Sequence, residues 1–155
     1  MFTVIRDTRE KKPHIWEPSD TCEGTIIKKI YPGDYTIDGF ENTLAIERKA
    51  STGELAANIS QKRFQKEMEF MGTIPHTYLL LEFSMTDVLN FPQNSNIPEK
   101  LWPKLRCNGN YILSKLFAYE MYYGIRVLFC DNRENAWHVM NRLFIGFDKN
   151  REKFL

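Results

Sequence analysis

Three cysteines, none in a Cys-x-x-Cys pair, leave this chain without a legible disulfide framework or thiolate zinc site. Cys22, Cys107 and Cys130 are odd in number and far apart, which suits a reducing compartment, and the cytoplasm (a host's, for a phage-encoded chain) is the expected location. Long apolar runs are missing as well. The longest tight one, Tyr78 to Leu81, falls far short of the roughly 20 residues that a bilayer-spanning helix needs, so no membrane association is expected. The opening MFTVIRDTRE lacks the apolar segment of a secretory signal. Histidine is scarce: His14, His76 and His138 are scattered without a partner at ligand spacing, and each reads as a surface or satisfied core residue. No serine or cysteine has a nearby base pattern, which leaves covalent hydrolysis unsupported. There is no internal repeat and no low-complexity tract. Excess charge of one sign is also absent, with 21 basic against 20 acidic side chains. Strongly basic composition is the usual mark of a nucleic-acid binder, but an acidic metal site can offset a basic groove, so this balance decides nothing.

What is present is an ordinary globular composition, 43% hydrophobic and 26% charged, over 155 residues that read as one domain, 1–155. The chemistry concentrates between Gly33 and Leu55. Asp34-Tyr35-Thr36-Ile37 and Leu44 to Lys49 alternate like strands, and Asp38-Gly39-Phe40-Glu41-Asn42 between them carries hairpin turn chemistry. Residues two apart on a strand share a face, so Glu47 and Lys49 point together and Arg48 points away. A paired hairpin brings Asp34 to the side of Glu47. Two carboxylates and an amine at one sheet edge are poor packing material, because burying unpaired charge is costly. They suit Mg²⁺ or Mn²⁺, hard cations with oxygen ligands, with the lysine holding a hydroxide or a phosphoryl oxygen.

Gly33-Asp34, Glu47-Arg48-Lys49 and the following acid-Leu, preceded by Asp7-Thr8-Arg9-Glu10, resemble the XPF family of structure-specific DNA endonucleases, within the PD-(D/E)XK nuclease class. The resemblance runs from Phe2 to about Leu143. It implies a restriction-endonuclease-like α/β core with a central mixed sheet flanked by helices. It also implies Mg²⁺-dependent hydrolysis of DNA phosphodiesters at branched or flapped structures. The catalytic set it implies is Asp34, Glu47 and Lys49, with Asp7, Glu10 and the main-chain carbonyl of Arg48. Asp34, Glu47 and Asp7 would bind the metal. Arg9, Lys62, Arg63 and Lys66 are the expected DNA contacts. Arg63-Phe64-Gln65-Lys66-Glu67 resembles the family's Arg-apolar-x-x-Gln segment, with Glu67 in place of the Gln. Gly53 fills the slot in which the family places an acid, and Glu54 follows as an additional acid displaced by one inserted residue. The tandem helix-hairpin-helix module of longer members finds no room before Leu155, which resembles stand-alone phage and bacterial versions. Two other readings remain open: a catalytically silent DNA-binding scaffold, and a Holliday-junction resolvase or restriction-type enzyme of the same core.

Elsewhere the pattern predicts strands over Phe2–Arg6, Thr25–Ile30, His76–Phe83 and Ile125–Cys130, the last two buried. It predicts helices after Ser51 or Thr52, over Gln61–Met71, from Thr86, over Tyr111–Tyr123 stopped by Gly124, and from an Asn132 cap through Leu143. Lys11–Thr25 and Phe91–Pro103 read as loops. Trp16 and Tyr35 read as packing residues, Tyr35 beneath the site. The helix over Tyr111–Tyr123 is apolar on more than one side, so a homodimer through Tyr111–Leu143, which the resemblance also implies, stands against a monomer closed by the last helix.

Overall fold

A computed structural model describes residues 1–155. Six strands form one mixed sheet: β1 (Phe2–Arg6), β2 (Cys22–Ile27), β3 (Tyr35–Ile37), β4 (Leu44–Lys49), β5 (His76–Leu81) and β6 (Arg126–Phe129), in the order β2-β1-β3-β4-β5-β6. The pairs β1/β2, β4/β5 and β5/β6 are parallel, while β3 runs antiparallel to both β1 and β4. The helices are α1 (Thr52–Ile59), α2 (Lys62–Met71), α3 (Met85–Leu89), α4 (Gly109–Tyr123), α5 (Arg133–Lys149) and α6 (Arg151–Phe154). This is a restriction-endonuclease-like α/β core. No helix is long and apolar enough to cross a membrane.

The two-residue period of the strands builds the layers. Ile46, Tyr78 and Leu80 face one way, where Met140, Phe144 and Phe147 of α5 cover them. Leu79 and Leu81 face the other way, against Leu55, Phe64, Met68, Ile112 and Leu116 from α1, α2 and α4. Register pairs Glu47 with Leu79 and Lys49 with Leu81, so both charged side chains belong to the α1–α2 layer. Arg48, paired with Leu80, belongs to the α5 layer.

Three helix ends fall where the sequence places them, with Ser51 before α1, Asn132 before α5 and a left-handed Gly124 (φ +69°) after α4, while α4 starts ahead of the expected Tyr111, at Gly109, because the Asn108 side chain caps it. Other boundaries differ from expectation. β2 begins at Cys22, inside the expected loop, and ends at Ile27, because the chain then leaves the edge so that the Ile30 N–H can reach Asp7 Oδ1 at 3.0 Å. The expected buried strand at Ile125–Cys130 is the shorter β6, the sheet's other edge, with Arg126 exposed and Val127 to Phe129 half-buried. The expected loop at Phe91–Pro103 runs into a short 3₁₀-helix, Glu99–Lys104. α5 continues past Leu143 because Phe144, Ile145 and Phe147 extend its buried stripe. His76–Leu81 is buried as expected beyond its first residue.

Candidate active site

The site forms where β4 ends and α1 begins. The Asp34 N–H donates to Ile46 O at 2.7 Å, and Asp34 Oδ2 in turn accepts the Arg48 N–H at 2.8 Å. This clamp holds the Asp34 carboxylate beside Glu47. Gly33 makes it achievable: its φ is +91°, and an added Cβ would lie 3.1 Å from Ile46 O. Glu47 and Lys49 are both buried, and Lys49 Nζ lies 3.0 Å from Glu47 Oε2 and 4.8 Å from the centre of the Phe64 ring. Two cavities of about 520 and 320 Å³ share Arg9, Lys11, Asp34, Glu47 and Lys49 in their walls, so the charged cluster opens to solvent through a cleft.

The electrostatics are those of an under-neutralised anionic site. Burial, then the charge of Glu10, pushes the Asp34 carboxyl up to about 6 against the opposing Arg48 N–H bond. Burial, then the charge of Asp34, raises Glu47 well above the ordinary carboxylate range, with Lys49 opposing. Burial works against the Lys49 ammonium, but Glu47 and Glu54 outweigh it and hold the pKa above its ordinary value. One lysine beside two close carboxylates leaves charge that a cation would relieve. No three acidic, histidine or cysteine side chains are arranged together at metal-ligand spacing. Mg²⁺ keeps several waters and is commonly bound by one or two carboxylates, so Asp34 and Glu47 fit it as a donor pair.

The remaining sequence-predicted residues take varied positions. Asp7 lies in the wall of the smaller cavity and is almost wholly buried. Its Oδ1 accepts from Ile30 N, and its Oδ2 accepts from Arg9 Nε at 2.7 Å and Arg9 N at 3.2 Å. Burial opposes its ionisation, yet those bonds hold its carboxyl below the ordinary range. Arg9 is thereby fixed at the cleft mouth, its Nη2 also donating to Ile30 O at 3.2 Å. Glu10 lies in the wall of the larger cavity, and its carboxylate is committed to Arg48 (2.9 and 3.2 Å) and to the Tyr35 hydroxyl (2.7 Å). Arg63 borders the cleft, whereas Lys62 and Lys66 are exposed on α2 outside its walls. Glu54 acts at the start of α1: its Oε2 accepts the Ala50 N–H at 3.2 Å, and its Oε1 is 3.7 Å from Lys49 Nζ. An acid cannot replace Gly53, because a Cβ there would meet Ser95 O at 2.4 Å. The displaced acid therefore has a steric cause in the loop packed on α1.

Two features were beyond sequence reasoning. Behind β4, Arg48 Nη1 donates to Glu82 Oε1 at 2.9 Å, and Glu82 Oε2 lies 2.6 Å from His14 Nε2. The His14 N–H donates to the Tyr35 hydroxyl at 2.9 Å, which closes a buried network with Glu10. His14 is thus a satisfied core histidine, and Trp16 and Tyr35 pack beside it as expected. Glu67, noted in the sequence only as a departure, accepts the Gly33 N–H at 3.0 Å and lines the cleft as a further carboxylate. Nothing local in the sequence marks either contact, since the partners lie 68 and 34 residues apart.

The fold is similar to that of XPF from Aeropyrum pernix, with a TM-score of 0.66 at 16% identity over 97% of this chain and 67% of that one. It is also similar to XPF from Aeropyrum pernix in complex with DNA, with a TM-score of 0.62 at 14% identity over 97% of this chain and 66% of that one. None of the curated proteins matches in sequence. The family model described as the ERCC4 domain matches residues 6–143, which include every residue of the cleft, and the chain belongs to this family of DNA endonucleases.

Proposed function

We propose that the chain hydrolyses phosphodiester bonds of branched or flapped DNA with Mg²⁺, or Mn²⁺, at the Asp34–Glu47–Lys49 cleft. The observation that carries this reading is the pair of buried carboxylates, both raised by burial and by neighbouring charge, facing a lysine in an open cleft. Asp34 and Glu47 would hold the ion, with Asp7 behind them and the Arg48 carbonyl at the strand end. The ion, when bound, supplies a Lewis acid for the phosphate and acidifies a water nearby. Lys49, kept charged by Glu47 and Glu54, orients the attacking water and stabilises the negative charge that develops on phosphorus oxygens. Arg9 and Arg63 flank the cleft and suit the phosphates on either side of the cut, and Lys62 and Lys66 extend that basic surface along α2.

Incubation with flap, fork, four-way and linear duplex DNA in Mg²⁺ tests the reading. Cleavage of the flap or fork in preference to linear duplex supports it. Preference for the four-way junction supports a resolvase, and binding without cleavage of any substrate supports a silent scaffold.

The homodimer belongs to the same proposal. Ile112, Leu116 and Tyr119 of α4 are buried in the core, while Phe117, Met121 and Tyr122 are exposed on its other side. That exposed apolar face beside the β6 edge suits a second copy of the chain.

A further inference from the structure

On the side of α1 away from the catalytic cleft lies another cavity, of about 370 Å³. Ala57 of α1, Ile97 and Leu105 of the long connection, and Tyr111 at the start of α4 give it apolar walls. Lys104 and Arg106 stand at the rim, both exposed, and no aspartate or glutamate lines it. Lys115 adds a third cation, its Nζ 5.7 Å from the centre of the Tyr111 ring.

The cavity is pre-formed. Gly53 lets the connection pack directly on α1, with Ser95 O so close that a Cβ would collide with it. The Trp102 indole N–H donates to Ile97 O at 3.0 Å and pins the same segment. A pre-formed wall lowers the ordering cost of binding.

Position relates it to the catalytic site. Glu54 and Asn58 of α1 line the catalytic cavities, while Gly53 and Ala57 of the same helix line this one. One helix, about 10–12 Å across, separates the two. Ser60 lines this cavity, and the next residue, Gln61, together with Arg63 two positions further on, borders the cleft. A strand leaving the cleft over the end of α1 therefore meets an apolar hollow with an aromatic wall and a cationic rim.

We infer that this cavity takes an unpaired base from a single-stranded DNA arm beside the cut, with Tyr111 stacking on the base and Lys104 and Arg106 holding its flanking phosphates. The inference rests on the endonuclease reading of the cleft. A paired base keeps both faces within the duplex stack, whereas an unpaired base offers a free π-face to an aromatic ring, and the rim cations match the backbone charge. It gives the chain a structural preference for DNA with a single-stranded segment, through a contact that carries no metal and no catalytic group.

The test is fluorescence anisotropy with a fluorescein-labelled oligothymidylate, without divalent metal, over a series of salt concentrations. Tyr111→Ala, which removes the stacking wall, and Ala57→Trp, which fills the hollow, should each weaken binding roughly tenfold. Both positions are exposed, so the fold should survive, and a circular dichroism melt of each variant verifies this. Tyr111→Ala should leave the salt dependence unchanged, whereas Lys104→Ala with Arg106→Ala should lower the slope of log K against log salt by about 1.4, two phosphate contacts on single-stranded DNA. Lys153→Glu, on α6, should change little. The inference is overturned if wild type does not bind the oligonucleotide. It is equally overturned if folded Tyr111→Ala and Ala57→Trp bind like wild type, or if Lys153→Glu loses as much as they do. Failure of the endonuclease reading shows separately, as an absence of cleavage of any DNA by wild type in Mg²⁺.

Discussion

The Asp34 carboxylate accepts the main-chain N–H of Arg48 at 2.8 Å, so a residue just before one hairpin strand fixes the middle of the Glu47-Arg48-Lys49 run. Asp34 thus has two roles, clamping β4 and offering charge to a cation, and different substitutions separate them. Asp34→Asn keeps an oxygen acceptor for the clamp and removes the charge, whereas Asp34→Ala removes both. Both variants should abolish Mg²⁺-dependent cleavage, and only Asp34→Ala should also lower the melting temperature. Full activity in either would sink the metal-binding role.

Glu47→Ala should likewise abolish cleavage while leaving DNA affinity largely intact, because its carboxylate faces the cleft's cation position rather than the phosphate backbone. Lys49→Ala should slow cleavage by roughly 10²–10³-fold, as loss of one positioned charge stabiliser typically does. Single-turnover rates and binding isotherms on one flap substrate separate these effects from a loss of affinity.

Stability of the metal-free protein should respond to the same charge. A carboxyl at about 6 in the fold and 3.8 unfolded favours the folded state only while it is protonated. Its contribution is present below pH 3.8 and is lost as pH rises through about 6. Asp34→Asn should therefore stabilise the metal-free protein at pH 7, by about 1–3 kcal/mol, and the gain should shrink towards pH 4. Denaturant melts of both proteins at a series of pH values measure this. A constant or growing difference towards low pH would contradict it.

Arg48 joins Glu10 to Glu82 in a buried network, and removing the cation leaves Glu10 with the Tyr35 hydroxyl and Glu82 with His14 but strips both carboxylates of their arginine. Arg48→Ala should cost about 3–5 kcal/mol of stability, the usual consequence of breaking a buried ion pair from one side. Chemical denaturation at pH 7 reads this directly, and a loss below 1 kcal/mol would show that water already reaches the network.

Ion dependence should follow coordination. Mg²⁺ and Mn²⁺ should support cleavage, while Ca²⁺ should support binding alone, since it takes more oxygen ligands at longer distances and positions water loosely. Turnover in EDTA would contradict a metal-dependent reaction. Light scattering between low and high protein concentration tests the homodimer: a monomer mass throughout removes it, and a dimer split by Phe117→Glu without unfolding supports the exposed α4 face as its interface.

The relation among Glu47, Arg48 and Lys49 is legible in the sequence, because a strand's two-residue period needs no partner to set its faces. The turn chemistry of Asp38-Gly39 also places Asp34 opposite, and Ser51, Asn132 and Gly124 mark helix ends because each acts within four residues. What the other acids do depends on contacts between distant segments. Glu10 lies close in sequence to Asp7, yet one is committed to Arg48 and Tyr35 in the wall of the larger cavity while the other holds Arg9 and Ile30 in the wall of the smaller. His14 with Glu82, Glu67 with Gly33, and the closeness of Gly53 to Ser95 join segments that no local pattern links. The edge position of β6 and the early start of β2 likewise follow from which strand lies beside which. Local periodicity fixes the direction of a side chain along its own element, but the partner that determines its charge and exposure comes from a distant part of the chain.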